Sequence, residues 1–123
     1  MNGNRIFVDT NILIYFLKGD KEVIEMISDK DIVISFITEL ELLSFPDLNK
    51  DSIKIIKGLL NNCLIVDIDR SIKELAVEFR KKSNLKLPDA IVAASAYNFK
   101  LPLLTADKIF KSVDDLAVIM YEL

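Results

Sequence analysis

The side chains in this sequence best able to do chemistry are carboxylates. Histidine is absent and Cys63 is the only cysteine. An imidazole base or ligand is therefore excluded, and so is a zinc site built from Cys and His. Acids recur where apolar runs end: Asp9 in IFVDTNILIY, Glu39 and Glu41 in ITELEL, Asp67 and Asp69 in VDID, Asp89 in LPDAIVAASA, Asp107 in LLTADKIF. Singly, each has a plain explanation. Asp9, Asp69 and Asp107 can cap the helical segments that follow them. Asp89 sits in a first helical turn, where a negative charge favours the helix dipole. Asp67 reads as a solvated strand end.

Taken together, Asp9, Asp89 and Asp107 ask for more. Asp9 and Asp89 are embedded in strongly apolar flanks, where burying a charge is costly. A cap would be served by Ser, Thr or Asn without that cost. Two carboxylates ~4 Å apart repel by roughly 4 kcal/mol at an effective dielectric of ~20, against ~1 kcal/mol for a cap. If these acids converge, a divalent cation accounts for them and capping does not. Oxygen-only ligation favours Mg²⁺ or Mn²⁺. Glu39 and Glu41 lie about 200° apart on a helix, so both cannot face one site. The apolar positions Phe36, Ile37, Leu40 and Leu43 read as the buried stripe, with one glutamate on either side, and helical geometry alone does not choose between them.

Short apolar runs alternate with helical patterns, and these must position the acids. Strands are expected at Arg5–Val8, Ile32–Ser35, Leu64–Val66, Leu101–Thr105 and Ala117–Met120. Helices are expected at Thr10–Leu17, Lys21–Ser28, Thr38–Phe45 (before Pro46), Ser52–Asn61, Arg70–Lys82 and Pro88–Phe99, with a short turn at Asp107–Lys111. No hairpin signal joins two strands. Uniformly apolar strands linked by helices predict a three-layer α/β/α sandwich with a central, mainly parallel sheet of four to five strands. Such folds place their sites beyond the carboxyl ends of the strands, which is where most of the acids fall.

The chain has 123 residues, 51% of them hydrophobic, and a mean hydropathy of +0.31. It reads as one domain spanning 1–123, long enough to bury a core. No apolar run approaches the ~18 residues of a membrane span, the start MNGNR does not read as a signal peptide, and one cysteine permits no intrachain disulfide. A cytoplasmic protein is expected. The net charge of −3 does not advertise a nucleic-acid binder, but it says little about local patches.

VDTNILIYFL, ITELEL, LPDAIVAASA and LLTADKIF, in this order at strand ends, resemble the PIN-domain ribonucleases, and in particular the VapC-type toxins of prokaryotic toxin–antitoxin pairs. DTN alone is a weak signal; LPDAIVAAS followed by LLTxDxxF is far more specific. The resemblance spans nearly the whole chain. It implies an acidic pocket holding Mg²⁺ or Mn²⁺, with the family's four acids falling on Asp9, Glu41, Asp89 and Asp107. Glu41 is chosen because the family's second acid follows a Thr by three positions and precedes a Leu, as Thr38 and Leu42 do here. Asn11 and Thr105 match accessory polar positions that support the ligands. The Gly often found shortly after the glutamate is absent, with Ser44 and Phe45 there instead, and position 106 is Ala where many relatives carry a polar residue.

The implied activity is endonucleolytic hydrolysis of RNA leaving a 5′-phosphate. The implied partners are an RNA substrate, a cognate antitoxin covering the site, and a second copy in a homodimer. Lys81, Lys82, Lys86 and Lys108 are candidates for holding the RNA strand. Tyr15, Phe16 and Tyr97 are candidates for base stacking, with core or dimer packing as the plainer role. Three other classes fit less well. A phosphoacceptor receiver domain needs an acidic pair after the first strand and a Lys after the fifth; VDTN and Met120-Tyr121 offer neither. An Asp-x-Asp phosphatase needs an acid at position 11, which is Asn. A non-catalytic PIN-like RNA- or protein-binding module is the more serious alternative, and the full set of four acids speaks against it.

Overall fold

The computed structural model describes residues 4–122; the polar start read at 1–3 and the final residue, 123, lie outside them. Five strands form the sheet: β1 (Arg5–Val8), β2 (Asp31–Ser35), β3 (Leu64–Val66), β4 (Leu103–Thr105) and β5 (Val118–Met120). Their order is β3-β2-β1-β4-β5 and every pairing is parallel. Six α-helices connect them: α1 (Thr10–Leu17), α2 (Lys21–Ile27), α3 (Phe36–Leu43), α4 (Lys50–Asn61), α5 (Arg70–Ser83) and α6 (Leu87–Asn98), with a 3₁₀ turn at Lys108–Ser112. The α/β/α architecture read from the sequence is the one observed.

The two-faced sheet follows from strand periodicity. Successive side chains point to opposite faces. Phe7, Val33, Val66 and Leu103 enter one core with α5 and α6. Ile6, Val8, Ile34 and Leu104 enter the other with α1, α2, α3 and α4. Both faces are therefore apolar, as parallel sheets require. Ala90 to Ala96 of α6 are all buried, and the one hydroxyl among them, Ser95 Oγ, donates to the Ile91 carbonyl at 2.7 Å.

Element ends shift from expectation for local reasons. Helix α3 starts two residues early because Ser35 caps it, accepting from the Ile37 N–H at 3.0 Å. Asn49 likewise starts α4 at Lys50 by accepting from Ser52 N–H at 2.8 Å. Strand β4 begins only at Leu103, since Pro102 has no N–H to give a ladder. Gly19 follows α1 at φ +84°, a left-handed conformation that costs glycine little.

One expectation is overturned in part. Of the expected stripe, Phe36 and Ile37 do pack half-buried against the core, but the fully buried residues of α3 are Thr38 and Leu42 rather than Leu40 and Leu43. Leu40 is 54% exposed and Leu43 36%. A threonine can be buried here because its hydroxyl finds a partner across the fold, Thr10 of α1.

Candidate active site

Strand order reverses between β1 and β4: the chain runs outward from β1 through β2 to β3, then returns to β4 and β5 on the other side. In open parallel sheets a crevice opens beyond the strand ends at such a point. Asp9 follows β1 there, and Asp107 follows Thr105, the last residue of β4.

Asp9 is 9% exposed. It does cap α1: its Oδ1 accepts from the Thr10 N–H at 2.9 Å. Its Oδ2 accepts from the Thr105 hydroxyl at 2.7 Å, across the β1–β4 pairing. The Thr105 Oγ1 in turn accepts from the Asp107 N–H at 3.0 Å. One buried hydroxyl thus joins two of the acids. Asp107 also caps the 3₁₀ turn, with Oδ1 accepting from Ile109 N–H at 3.0 Å.

Glu41 is tied in from α3. The Thr10 hydroxyl donates to Glu41 Oε1 and lies 2.9 Å from the Thr38 hydroxyl. A hydroxyl has one proton, so Thr38 must be the donor to Thr10. The resulting chain is Thr38 to Thr10 to Glu41. Thr10 and Thr38 were not among the expected site residues. The signal that could have found them is spacing: Thr10 adjoins Asp9, and Thr38 lies one helical turn before Glu41 on the same face.

Asp9, Glu41, Asp89 and Asp107 line one cleft of about 360 Å³, with Thr10, Asn11, Ile14, Ser44 and Phe45. Glu39, Asp67 and Asp69 are not among the lining residues. Asp67 Oδ1 accepts from Ile68 N–H at 3.0 Å, and Asp69 caps α5 through Ile72 N–H at 2.9 Å, both as their local positions suggest. Ser44 and Phe45, the two residues at the expected glycine, form part of the cleft wall. Ala106 lines a neighbouring cleft instead.

The electrostatics link the acids. Burial pushes the Asp9 carboxyl above its ordinary value, and the charges of Asp89 and Glu41 add to this, against the opposing hydrogen bonds from Thr105 and Thr10. Asp89 is also raised, first by burial, then by Asp107 and Glu41, with Lys86 opposing. Burial is the first cause for both Asp9 and Asp89, and the neighbouring negative charges add to it. Among the described residues, no three potential ligands are already gathered as a preformed metal cage. The donor set, all oxygen and mostly anionic, nevertheless fits a hard divalent cation.

The aromatic candidates separate in space. Tyr15 lines the neighbouring cleft beside Asn11 and Asp107. Phe16 packs against the α1 side of the core. Tyr97 meets Phe79 edge-on at 5.7 Å, is 40% exposed, and lines neither cleft.

Comparison with known proteins places this geometry. The family model for the PIN domain matches residues 6–116. The chain belongs to the PIN-domain family. One relative is a protein named Ribonuclease VapC2, from Methanocaldococcus jannaschii, 30% identical over 97% of this chain and 95% of its own length. Among solved structures, the PIN-domain chain is similar to a toxin–antitoxin complex from Klebsiella pneumoniae, with a TM-score of 0.84 and 30% identity over 96% of this chain and 99% of that one. It is also similar to VapBC-1 from nontypeable Haemophilus influenzae, with a TM-score of 0.81 and 27% identity over 94% and 97% of the two chains. The resemblance to VapC-type PIN domains read from the four motifs is borne out.

Proposed function

We propose that this chain is a metal-dependent endoribonuclease and the toxin of a VapBC-type pair. The observation that carries this reading is that four acids from four separate segments line one cleft at the switch point of the sheet. The kinship with a VapC ribonuclease supplies the substrate class.

In this reading Asp9, Glu41, Asp89 and Asp107 hold Mg²⁺ or Mn²⁺. When bound, such an ion lowers the pKa of an attacking water and neutralises charge on the phosphodiester oxygens. The chain's own residues do the positioning. Asp9 is pinned by one donor on each oxygen and serves as the fixed anchor. Thr10 and Thr38 orient Glu41. Thr105 couples the placement of Asp9 to the backbone of Asp107. Asn11 is exposed at the cleft mouth, where its amide can meet substrate.

The antitoxin partner has a suitable surface beside the site. An apolar groove lined by Ile14, Leu17, Leu48, Ile55 and Ile56 shares Ile14 and Phe45 with the acidic cleft. A homodimer belongs to the same reading, with the exposed Leu40, Val77 and Leu87 as apolar surface available to it.

The test is cleavage of RNA by the purified protein with Mg²⁺ or Mn²⁺, its loss with chelator, and diffraction from Mn²⁺-soaked crystals. An anomalous peak among the four acids is expected. Its absence at saturating Mn²⁺ would sink the site assignment.

A further inference from the structure

A second cleft, of about 690 Å³, adjoins the acidic one and shares Asn11 and Asp107 with it; Tyr15, Ala106, Lys108, Met120, Tyr121 and Glu122 complete its lining. We propose that this cleft receives the base and ribose of the nucleotide next to the scissile phosphate, and that Tyr15, Asn11 and Lys108 set the enzyme's preference there. The inference rests on the ribonuclease reading above and extends it to substrate selection.

The size falls within the range of small-ligand sites, roughly 300–1,000 Å³. The walls divide by chemistry. Tyr15 and Met120 offer an aromatic face and a polarisable thioether, which suit a base. Tyr15 is held in place by Tyr121, their ring centroids 5.9 Å apart and tilted by 51°. The Tyr121 hydroxyl is already committed, donating to Asp20 at 2.8 Å, so Tyr121 contributes a rigid support rather than a free polar group. Among the described residues, the Tyr15 hydroxyl and the Asn11 amide make no hydrogen bond within the protein, so both are available to a base edge or a ribose hydroxyl. An amide carries donors and an acceptor together, which is what reading an unstacked RNA base requires.

Charge fixes the direction of the strand's path. Glu122, exposed at the rim, repels phosphate at the far side. Lys108 is exposed, makes no ion pair among the described residues, and follows Asp107 directly. Its ammonium is the cation of this lining, and it sits where the strand's phosphate passes from one cleft to the other. The cleft is also mechanically joined to the acids. Met120 is the register partner of Thr105, and the Tyr121 N–H donates to the Thr105 carbonyl at 2.8 Å. The strand that builds the subsite wall is therefore paired to the residue that holds Asp9.

The experiment is cleavage of a short RNA pool randomised around the cut, with fragment ends sequenced, by wild type, Lys108→Ala and Tyr15→Leu. Circular dichroism confirms folding, and the exposed Lys108 carries the test alone if Tyr15→Leu does not fold. Both variants are expected to flatten the base preference at one position beside the cut. KM should rise about five-fold or more for Tyr15→Leu, as loss of one stacked base implies, with a smaller rise for Lys108→Ala and kcat largely kept. Folded variants with wild-type KM and wild-type base preference would overturn the subsite while leaving the ribonuclease reading intact. A change in sedimentation without a change in KM or preference would also overturn it, assigning the cleft to protein contact. A wild-type protein that cleaves no RNA with Mg²⁺ or Mn²⁺ would remove the ribonuclease reading and the subsite with it.

Discussion

Asp9 and Asp20 do the same local job eleven positions apart and end in opposite electrostatic states. Each is the N-cap of a helix, α1 and α2 respectively, and each accepts from a backbone N–H and a side-chain hydroxyl. Asp20 takes the Val23 N–H at 3.1 Å and the Tyr121 hydroxyl at 2.8 Å. Its carboxyl is held below the ordinary value, chiefly by the Tyr121 bond. Asp9 also has a backbone donor and a hydroxyl donor, without the further backbone bond that Asp20 takes from Glu22, and is pushed up, because burial and two neighbouring charges outweigh them. Hydrogen bonding is thus the common term, and surroundings are the difference. A half-exposed cap with no acidic neighbour pushing it up has its carboxylate stabilised by those bonds. A cap in an acidic, buried cleft carries an excess cost that the cap does not repay, and that cost is what a cation would relieve.

The largest expected separation between the two comes from Asp9→Asn. Asparagine keeps the cap but loses the charge, so RNA cleavage should be abolished. Metal-free stability should stay unchanged or rise, as like-charge repulsion is relieved; thermal melts in chelator read this out. A variant that loses stability and still cleaves would return Asp9 to the role of a mere cap. Next in size is Thr105→Val, which removes the donor to Asp9 while keeping shape. Cleavage should fall roughly 10- to 100-fold, the range typical of residues that orient a ligand. Thr10→Val should act similarly through Glu41.

Ligand addition sharpens the comparison further. Mg²⁺ at about 100 times its Kd should stabilise the wild-type protein by about 2.7 kcal/mol. The gain should vanish in Asp9→Asn and persist in Asp20→Asn, as read from urea midpoints. Asp20→Ala should lower the melting temperature without altering the metal-induced shift, because it loses only a cap and the Tyr121 bond. The smallest effect is the pH dependence in chelator. Asp9 and Asp89 have raised folded values, so their contribution is present below the ordinary 3.8 and is lost as pH rises through those values. Asp20 has the reverse sign: its contribution is present above 3.8 and is lost as pH falls through its depressed value. Tyr121, pushed up to about 12 by the same bond, gives that bond up as pH rises past its folded value. Urea midpoints from acid to neutral pH should therefore change slope in opposite directions in Asp9→Asn and Asp20→Asn.

How far the sequence was legible depended on range. The strand and helix alternation, the parallel sheet and the positions of Asp9 and Asp107 at strand ends are local properties of apolar runs and their terminators. The choice between Glu39 and Glu41 was not local. Read by apolar spacing, α3 buries Leu40 and Leu43; in the fold it buries Thr38 and Leu42. Apolar spacing missed part of the face because one of its buried positions is a threonine, whose hydroxyl pairs with Thr10, 28 positions away. No periodicity encodes a partner that distant. The motif resemblance selected Glu41, and in the fold it is Glu41, not Glu39, that stands on the cleft wall.

The Thr105–Asp9 bond has a consequence for timing. Its two ends are 96 positions apart, and β4, which carries one of them, is the fourth strand of five. Chains are made from the amino end. A nascent chain carrying Asp9, Glu41 and even Asp89 still lacks the strand that fixes the first and supplies the fourth acid. The cleft therefore closes only once the chain has been made past Asp107, and no fragment ending before it presents the cleft.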